Sequence, residues 1–459
     1  MFTIDYNAPI HVHFIGIGGI SMSGLAEVLL DRHFTVSGSD RSESDLTRHL
    51  SALGARISYP QKADNITDDI DCVVYTAAIH PDNPEFLAAK EKNLPMLTRA
   101  QLLGQIMSHY PKSIAVAGTH GKTTTSSMLS QILLEGKDDP TLSIGGMFKA
   151  IGSNIHVGNS DLFLTEACEY TNSFLSLFAK YSIILNVEAE HLDFFKDLED
   201  IRNSFHQFAA DTAEGGAVVI NQEIERYQEL VEGIRARVIT FGFTDAADYY
   251  PEDIVYNEKG CAAFTPVHKG NKLGRVQLSV PGKHNVGNAL SAIAVAMDLN
   301  LPYEEIVDGL LAFGGAGRRF EYKGTYHGAT VVDDYAHHPT EIRASLSAAT
   351  NYPHDRLVIV FQPHTYTRTK AFLDDFAKAL SMADQVVLAD IYAAREQDIY
   401  GVHSTDLQKK ILDLGTPCEY FPDFSEIESY LEKNTINGDL LITMGAGNVY
   451  QIGESLLSK

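Results

Sequence analysis

The residues best equipped for chemistry are Gly118-Thr119-His120-Gly121-Lys122-Thr123-Thr124-Thr125, which follow directly on an apolar run over 114–117. In a loop of this composition backbone N–H groups can cradle phosphates, Lys122 can reach the β- and γ-phosphates, and the Thr123 hydroxyl can sit on Mg²⁺. ATP is the ligand such a loop suits. Only Thr119 and His120 separate the two glycines, and Val116 stands where GxxxxGK[ST] has its first glycine, so this is a shortened form. A plain turn would not require Gly-Lys-Thr at the mouth of a strand.

Carboxylates and a histidine come next. Glu166-Ala-Cys168-Glu169 follows an apolar run over 162–165, which puts Glu166 at the C-terminal end of a strand, the edge where doubly wound sheets bind ligands. Magnesium prefers oxygen ligands, so Thr123, Glu166 and two phosphate oxygens would make a site; the plainer alternative is a capping or solvated carboxylate. His191 stands just past a strand-like run over 183–187, and a lone histidine there is more often structural than a ligand.

A second glycine-rich run, Gly16-Ile-Gly18-Gly19-Ile-Ser21, follows an apolar stretch over 11–15 and leads into helix-like sequence over 25–30. Such a turn lets backbone approach a pyrophosphate, with Asp40 at the distance where a carboxylate grips a ribose hydroxyl. Ser21 replaces the third glycine of GxGxxG, so nucleotide binding and a merely structural turn both stay open.

These groups need a scaffold, and the hydrophobic pattern supplies one. Buried-strand runs over 11–15, 35–37, 72–76, 114–117, 162–165, 183–187, 217–220, 357–361, 385–389 and 440–444 alternate with helix-like stretches, which predicts an α/β protein. A chain of 459 residues suggests about three domains. Breaks are expected near 110 and 313, with a β-rich insertion over 238–280. The formal charge of −24 disfavours nucleic acid and anionic membranes as partners, so an anionic substrate needs local cations, N–H donors or metal ions. The N-terminus lacks a signal pattern and no run of about 18 apolar residues occurs, so a cytoplasmic protein without membrane insertion is expected. Cys72, Cys168, Cys261 and Cys418 are widely spaced and read as reduced, buried thiols.

Taken in order, the phosphate-loop run, Glu166-Ala-Cys168-Glu169, Asn186-Val-Glu188-Ala-Glu190-His191-Leu-Asp193 and Pro281-Gly-Lys-His284-Asn285-Val-Gly-Asn288 resemble the central domain of the Mur ligase family. Downstream, Gly315-Ala-Gly317-Arg318-Arg319-Phe320, Asp333-Asp334-Tyr335-Ala-His337-His338-Pro339 and His364-Thr365-Tyr-Thr-Arg368, with the run from Gly16, are similar to the branch that joins L-alanine to UDP-N-acetylmuramate for peptidoglycan synthesis. The resemblance implies a Rossmann-like UDP-sugar domain over 1–110, a P-loop ATPase domain with a mostly parallel sheet over 111–313, and a Rossmann-like domain over 314–459 that closes over ATP and amino acid. It implies an acyl phosphate made from ATP and then attacked by the amine.

Residue by residue, Gly16, Gly18, Gly19, Ser21 and Asp40 would meet the UDP-sugar. Gly118, Thr119, His120, Gly121, Lys122, Thr123, Thr124, His284, Asn285, Asn288 and Asp334 would face ATP, with one of Arg318 and Arg319. Thr123 and Glu166 would hold one Mg²⁺ and His191 a second; Lys122, Glu166, His191 and His337 would be catalytic. Tyr335, His337 and Arg368 would lie near the amino acid, with His337 accepting the amine's proton. Some family members have arginine at Thr365, so here a single arginine would hold the amino-acid carboxylate. A monomer or weak homodimer is expected.

Rival readings each leave something unexplained. Folate-lengthening ligases lack the N-terminal loop domain, a dehydrogenase leaves Gly121-Lys122-Thr123 without a use, and a non-catalytic nucleotide switch leaves the C-terminal His- and Arg-rich runs idle. Attachment of a preformed peptide is harder to exclude, because it shares the N-terminal loop and the ATP motifs.

Overall fold

Strands buried on both faces of a parallel sheet must be apolar along their length, and the pattern of the chain delivers this in three separate sheets. The computed structural model describes residues 2–76, 79–192, 194–394 and 396–459. The chain divides into two compact units, one of Met1–Phe241 with Ala294–Leu301, the other of Gly242–Ile293 with Pro302–Lys459.

The first unit carries two sheets. Strands β1 (His11–Ile15), β2 (Thr35–Ser39), β3 (Arg56–Ser58), β4 (Cys72–Tyr75) and β5 (Met96–Thr98) run parallel in the order β3-β2-β1-β4-β5. The order reverses between β1 and β4, which opens a crevice at the C-terminal end of β1, where the first glycine-rich run begins. The second sheet uses β6 (Lys112–Ala117), β7 (Thr141–Phe148), β8 (Ser153–His156), β9 (Leu162–Glu166), β10 (Tyr181–Ile184), β11 (Ala217–Asn221) and β12 (Arg237–Phe241). Their order is β12-β11-β10-β6-β9-β7-β8, all parallel except the β7–β8 pair. Strand β6 therefore lies between β9 and β10, and the loops after all three open on one edge.

In the second unit an antiparallel group, β13 (Tyr249–Tyr256), β14 (Cys261–His268), β15 (Asn271–Lys272) and β16 (Val276–Pro281), forms the β-rich stretch expected over 238–280. The start of that stretch, β12, instead joins the parallel sheet of the first unit. The third sheet has β17 (Glu321–Tyr326), β18 (Ala329–Asp334), β19 (Arg356–Phe361), β20 (Gln385–Leu388), β21 (Cys418–Tyr420) and β22 (Asp439–Met444) in the order β17-β18-β22-β19-β20-β21. Alternation at period two fills both of its faces: Val332, Ile359, Phe361, Leu388 and Ile442 pack in one core cluster, and Val331, Val358, Val360, Val387 and Leu441 in another. Truncating fully buried Phe361 to alanine would cost about 3–5 kcal/mol.

Two expectations shift. Strand β10 ends at Ile184 rather than at 187, because Leu185 and Asn186 turn away to meet the phosphate loop. Cys72, Cys261 and Cys418 are buried as expected, but Cys168 is exposed, since it sits in the loop after β9 rather than in a strand. None of the four is disulfide-bonded. Among the described residues no helix is long and apolar enough to cross a membrane.

Candidate active site

After β6 the backbone turns through Gly121, whose φ of +85° caps the helix Lys122–Glu135. A left-handed residue at this point is what glycine allows cheaply. The helix thus starts at Lys122, not near 126, so Lys122, Thr123 and Thr124 occupy its first turn, where N–H groups lack intrahelical partners and suit an anion.

The loop is braced from the neighbouring strand. Asn186 accepts the His120 N–H through Oδ1 at 2.7 Å and donates from Nδ2 to the His120 carbonyl at 3.1 Å. Its own carbonyl accepts the Thr119 N–H at 3.2 Å, and the Thr119 hydroxyl accepts the Glu188 N–H at 2.9 Å. In the sequence Asn186 heads the run that ends in His191-Leu-Asp193, with no role of its own attached.

Lys122 is held in advance. Its Nζ donates to Glu169 Oε2 at 2.8 Å and to the carbonyls of Gly118 and Thr119 at 2.5 and 3.2 Å. Burial disfavours the ammonium, but Glu169, with Cys168 and Glu166, outweighs that and raises the Lys122 pKa. On Glu169 burial pushes upward, and Lys122 and His191 more than offset it, so the carboxyl is lowered and the pair is ionised. His191 Nε2 lies 3.4 Å from Glu169 Oε1, with its ring against Tyr170 at 4.7 Å. Lys122, Glu169 and His191 are thus one connected row. Glu169 had no role in the sequence reading; its spacing of three from Glu166 was the available signal. Asp193, in the same motif, lies outside the described residues.

Glu166 ends β9 and accepts from Thr123 Oγ1 at 3.1 Å, Ser126 Oγ at 3.2 Å and the Gly145 N–H at 2.6 Å. The two groups expected to share a cation therefore already touch.

At the first glycine-rich run the helix starts at Ile20 rather than 25. Gly16 and Ile17 donate to the Ser39 carbonyl at 2.9 Å each, and Gly19 to the Gly16 carbonyl at 3.2 Å. Asp40 turns onto its own loop: Oδ2 accepts the Gly18 N–H at 2.8 Å and Oδ1 the Arg41 N–H at 2.7 Å. A Cβ on Gly18 would lie 2.7 Å from Asp40 Oδ2, so a larger residue would push that carboxylate aside. Ser21 Oγ accepts from Arg99 at 3.0 Å.

The helix Lys283–Asp298 carries His284, Asn285 and Asn288 in its first two turns. Asn285 donates to the Pro281 carbonyl at 2.7 Å and Asn288 to Asn285 Oδ1 at 3.0 Å, and both are buried. Arg318 is spent internally, with Nε on Asp333 at 2.8 Å and its two terminal nitrogens on the carbonyls of Gly447 and Gly445 at 3.0 and 2.7 Å. Arg319 makes one such bond, to the Arg318 carbonyl at 3.2 Å, and lies over the Tyr335 ring at 4.6 Å.

Asp334 closes β18, accepting from the Ala336 N–H at 2.8 Å and Ser345 Oγ at 2.7 Å. Burial raises its carboxyl to about 6, against those bonds and Arg319, which lower it. His337 Nδ1 lies 3.0 Å from the Tyr335 carbonyl and 3.2 Å from Glu341 Oε2. His338 caps the helix Pro339–Ala349, so the plain reading of His-Pro as a helix start holds for that histidine. The His337 ring meets His364 at 5.8 Å, and His364 Nδ1 is 3.0 Å from an Arg368 nitrogen. Tyr335, His337 and Arg368 are thereby linked through His364, which the sequence reading quoted without a role.

Three family descriptions match the chain in succession: Mur ligase family, catalytic domain, over residues 11–111; Mur ligase middle domain over 116–296; and Mur ligase, glutamate ligase domain, over 318–447. The chain belongs to the Mur ligase family. It is 62% identical over 459 residues to the UDP-N-acetylmuramate–L-alanine ligase of Agathobacter rectalis and 57% identical over 458 residues to that of Lachnospira eligens, with 100% of both chains covered each time. It resembles the crystal structure of UDP-N-acetylmuramate–alanine ligase from Thermotoga maritima with a TM-score of 0.81 and 29% identity over 98% of each chain. A murein peptide ligase from Psychrobacter arcticus shares the fold, with a TM-score of 0.70 at 24% identity over 98% of each chain.

Proposed function

We propose that this chain is an ATP-dependent ligase that joins L-alanine to the carboxylate of UDP-N-acetylmuramate in peptidoglycan synthesis, acting in the cytoplasm as a monomer or weak homodimer. The observation that carries the chemistry is the row Lys122–Glu169–His191 beside Thr123–Glu166 at the mouth of β6. The full-length likeness to the alanine ligases supports the substrate over a peptide. The domain limits at 110 and 313 belong to the same proposal.

A carboxylate is a poor electrophile, so its oxygen first takes the γ-phosphoryl of ATP and ADP leaves. The alanine amine then attacks the acyl carbon, and phosphate departs with the former carboxylate oxygen. Lys122 and the first-turn N–H groups balance the charge brought together in the first step. An all-oxygen pair such as Thr123 and Glu166 fits Mg²⁺, with His191 near a second ion, and magnesium supplies screening of the phosphate charges. Arg319, rather than the committed Arg318, is the arginine that meets ATP, together with Asp334, Asn285, Asn288 and His284. With Nδ1 donating to the Tyr335 carbonyl, His337 has Nε2 as its basic nitrogen, ready to take the amine's proton. Arg368, steadied by His364, holds the amino-acid carboxylate without help from Thr365.

Phosphate release from Mg-ATP tests the proposal. It is expected only with UDP-N-acetylmuramate and L-alanine together. Release with a tripeptide but not with L-alanine would move the chain to peptide attachment.

A further inference from the structure

A protein with a formal charge of −24 has carboxylates to spare, and arginines such as Arg226, Arg318 and Arg356 each find one. Arg99 does not. Among the described residues its single hydrogen bond is to the Ser21 hydroxyl, at 3.0 Å, and no carboxylate pairs with it. The side chain is only partly exposed, and burial lowers its pKa, with the Cys168 thiol the one group acting on it electrostatically. An uncompensated, half-desolvated guanidinium is costly, and its planar fork fits a carboxylate or phosphate in two places.

Its position says whose anion is missing. Ser21 belongs to the first glycine-rich run, and Cys168 lies between Glu166 and Glu169 in the loop beside Lys122. Arg99 thus bonds to the run that suits a nucleotide-sugar and acts on the thiol of the loop beside Lys122. Asp40, the carboxylate beside the first run, is committed to the Gly18 and Arg41 N–H groups and offers an anion nothing.

We infer that Arg99, oriented by Ser21, is a binding residue for an anionic oxygen group of the nucleotide-sugar substrate, either its pyrophosphate or its carboxylate. This rests on the nucleotide-sugar reading given above. The site completes its charge balance only when substrate arrives, which couples affinity to the relief of a partly buried cation.

Calorimetric titration of Arg99→Gln and Arg99→Lys with UDP-N-acetylmuramate and with UDP-N-acetylglucosamine, which lacks the carboxylate, tests this. Arg99→Gln is expected to weaken UDP-N-acetylmuramate by about 10- to 100-fold, the range of a hydrogen bond to a charged group, with Arg99→Lys recovering part. Equal loss for both ligands assigns the pyrophosphate; loss for UDP-N-acetylmuramate alone assigns the carboxylate. The ligand-free melting temperature of Arg99→Gln should be no lower than that of the wild type, since an unpaired cation has been removed. Unchanged affinity for both ligands, or a lowered melting temperature with unchanged affinity, would overturn the inference. Wild-type protein that bound neither ligand would instead overturn the nucleotide-sugar reading, and the inference with it.

Discussion

The two glycine-rich loops look alike in sequence and are built differently. Both follow a central parallel strand and open a helix, yet the loop after β6 carries its own cation and is stapled from outside by Asn186, while the loop after β1 is stapled by its own expected ligand group, Asp40. A polar residue next to a phosphate loop can serve the ligand or the loop. Only the hydrogen-bond geometry distinguishes the two.

Substitutions in the two loops should therefore separate by size and by substrate. Lys122→Ala should have the largest effect, a loss of ~10²- to 10³-fold or more in turnover with the fold intact, checked by phosphate release and circular dichroism. The arginine pair shows the same division of labour. Arg318→Met leaves Asp333 buried without its partner and should cost about 3–5 kcal/mol of stability in denaturant unfolding. Arg319→Met should barely move stability and should instead raise KM for ATP.

Asn186→Ala removes both side-chain braces of His120 and should raise KM for ATP by about 30-fold, each net bond being worth about 1 kcal/mol. KM for the nucleotide-sugar should stay put. Asp40→Ala should do the reverse by a few-fold, because it loosens the Gly18 turn; an effect on ATP alone would erase the contrast between the loops.

The smallest effect concerns pH. Burial raises the Asp334 carboxyl to about 6, above the ~3.9 of an exposed aspartate, so between these values the folded chain keeps a proton that the unfolded chain has lost. Its contribution to stability is complete below about pH 4 and is lost as pH rises through about 6. The melting temperature of the wild type should therefore fall, relative to Asp334→Asn, by a few degrees from pH 4 to pH 6.5, read by scanning calorimetry.

Much of this was legible in the sequence, for physical reasons. Parallel strands buried on both faces leave continuous apolar runs, so β1, β9, β11, β19 and β22 stood out within a residue of their limits. Lys122 was legible because a Gly-Lys-Thr run after a strand has few other uses. Helix starts were placed late, near 25 and 126, because small and polar residues in a first turn carry no apolar periodicity. The work of Asn186 and Glu169, and the choice between Arg318 and Arg319, depended on which carbonyl or carboxylate stands within 3 Å. Adjacent arginines look equivalent until one is seen with three internal acceptors.

The route of one oxygen atom tests the central claim most directly. UDP-N-acetylmuramate labelled with ¹⁸O in its carboxylate is turned over with ATP and L-alanine, and the phosphate and nucleotide products are weighed by mass spectrometry. Joining through an acyl phosphate predicts one ¹⁸O in each phosphate released, none in ADP, and one left in the amide product. Unlabelled phosphate would mean that water, not the carboxylate, receives the phosphoryl group, and would contradict the assignment of this chain as a ligase.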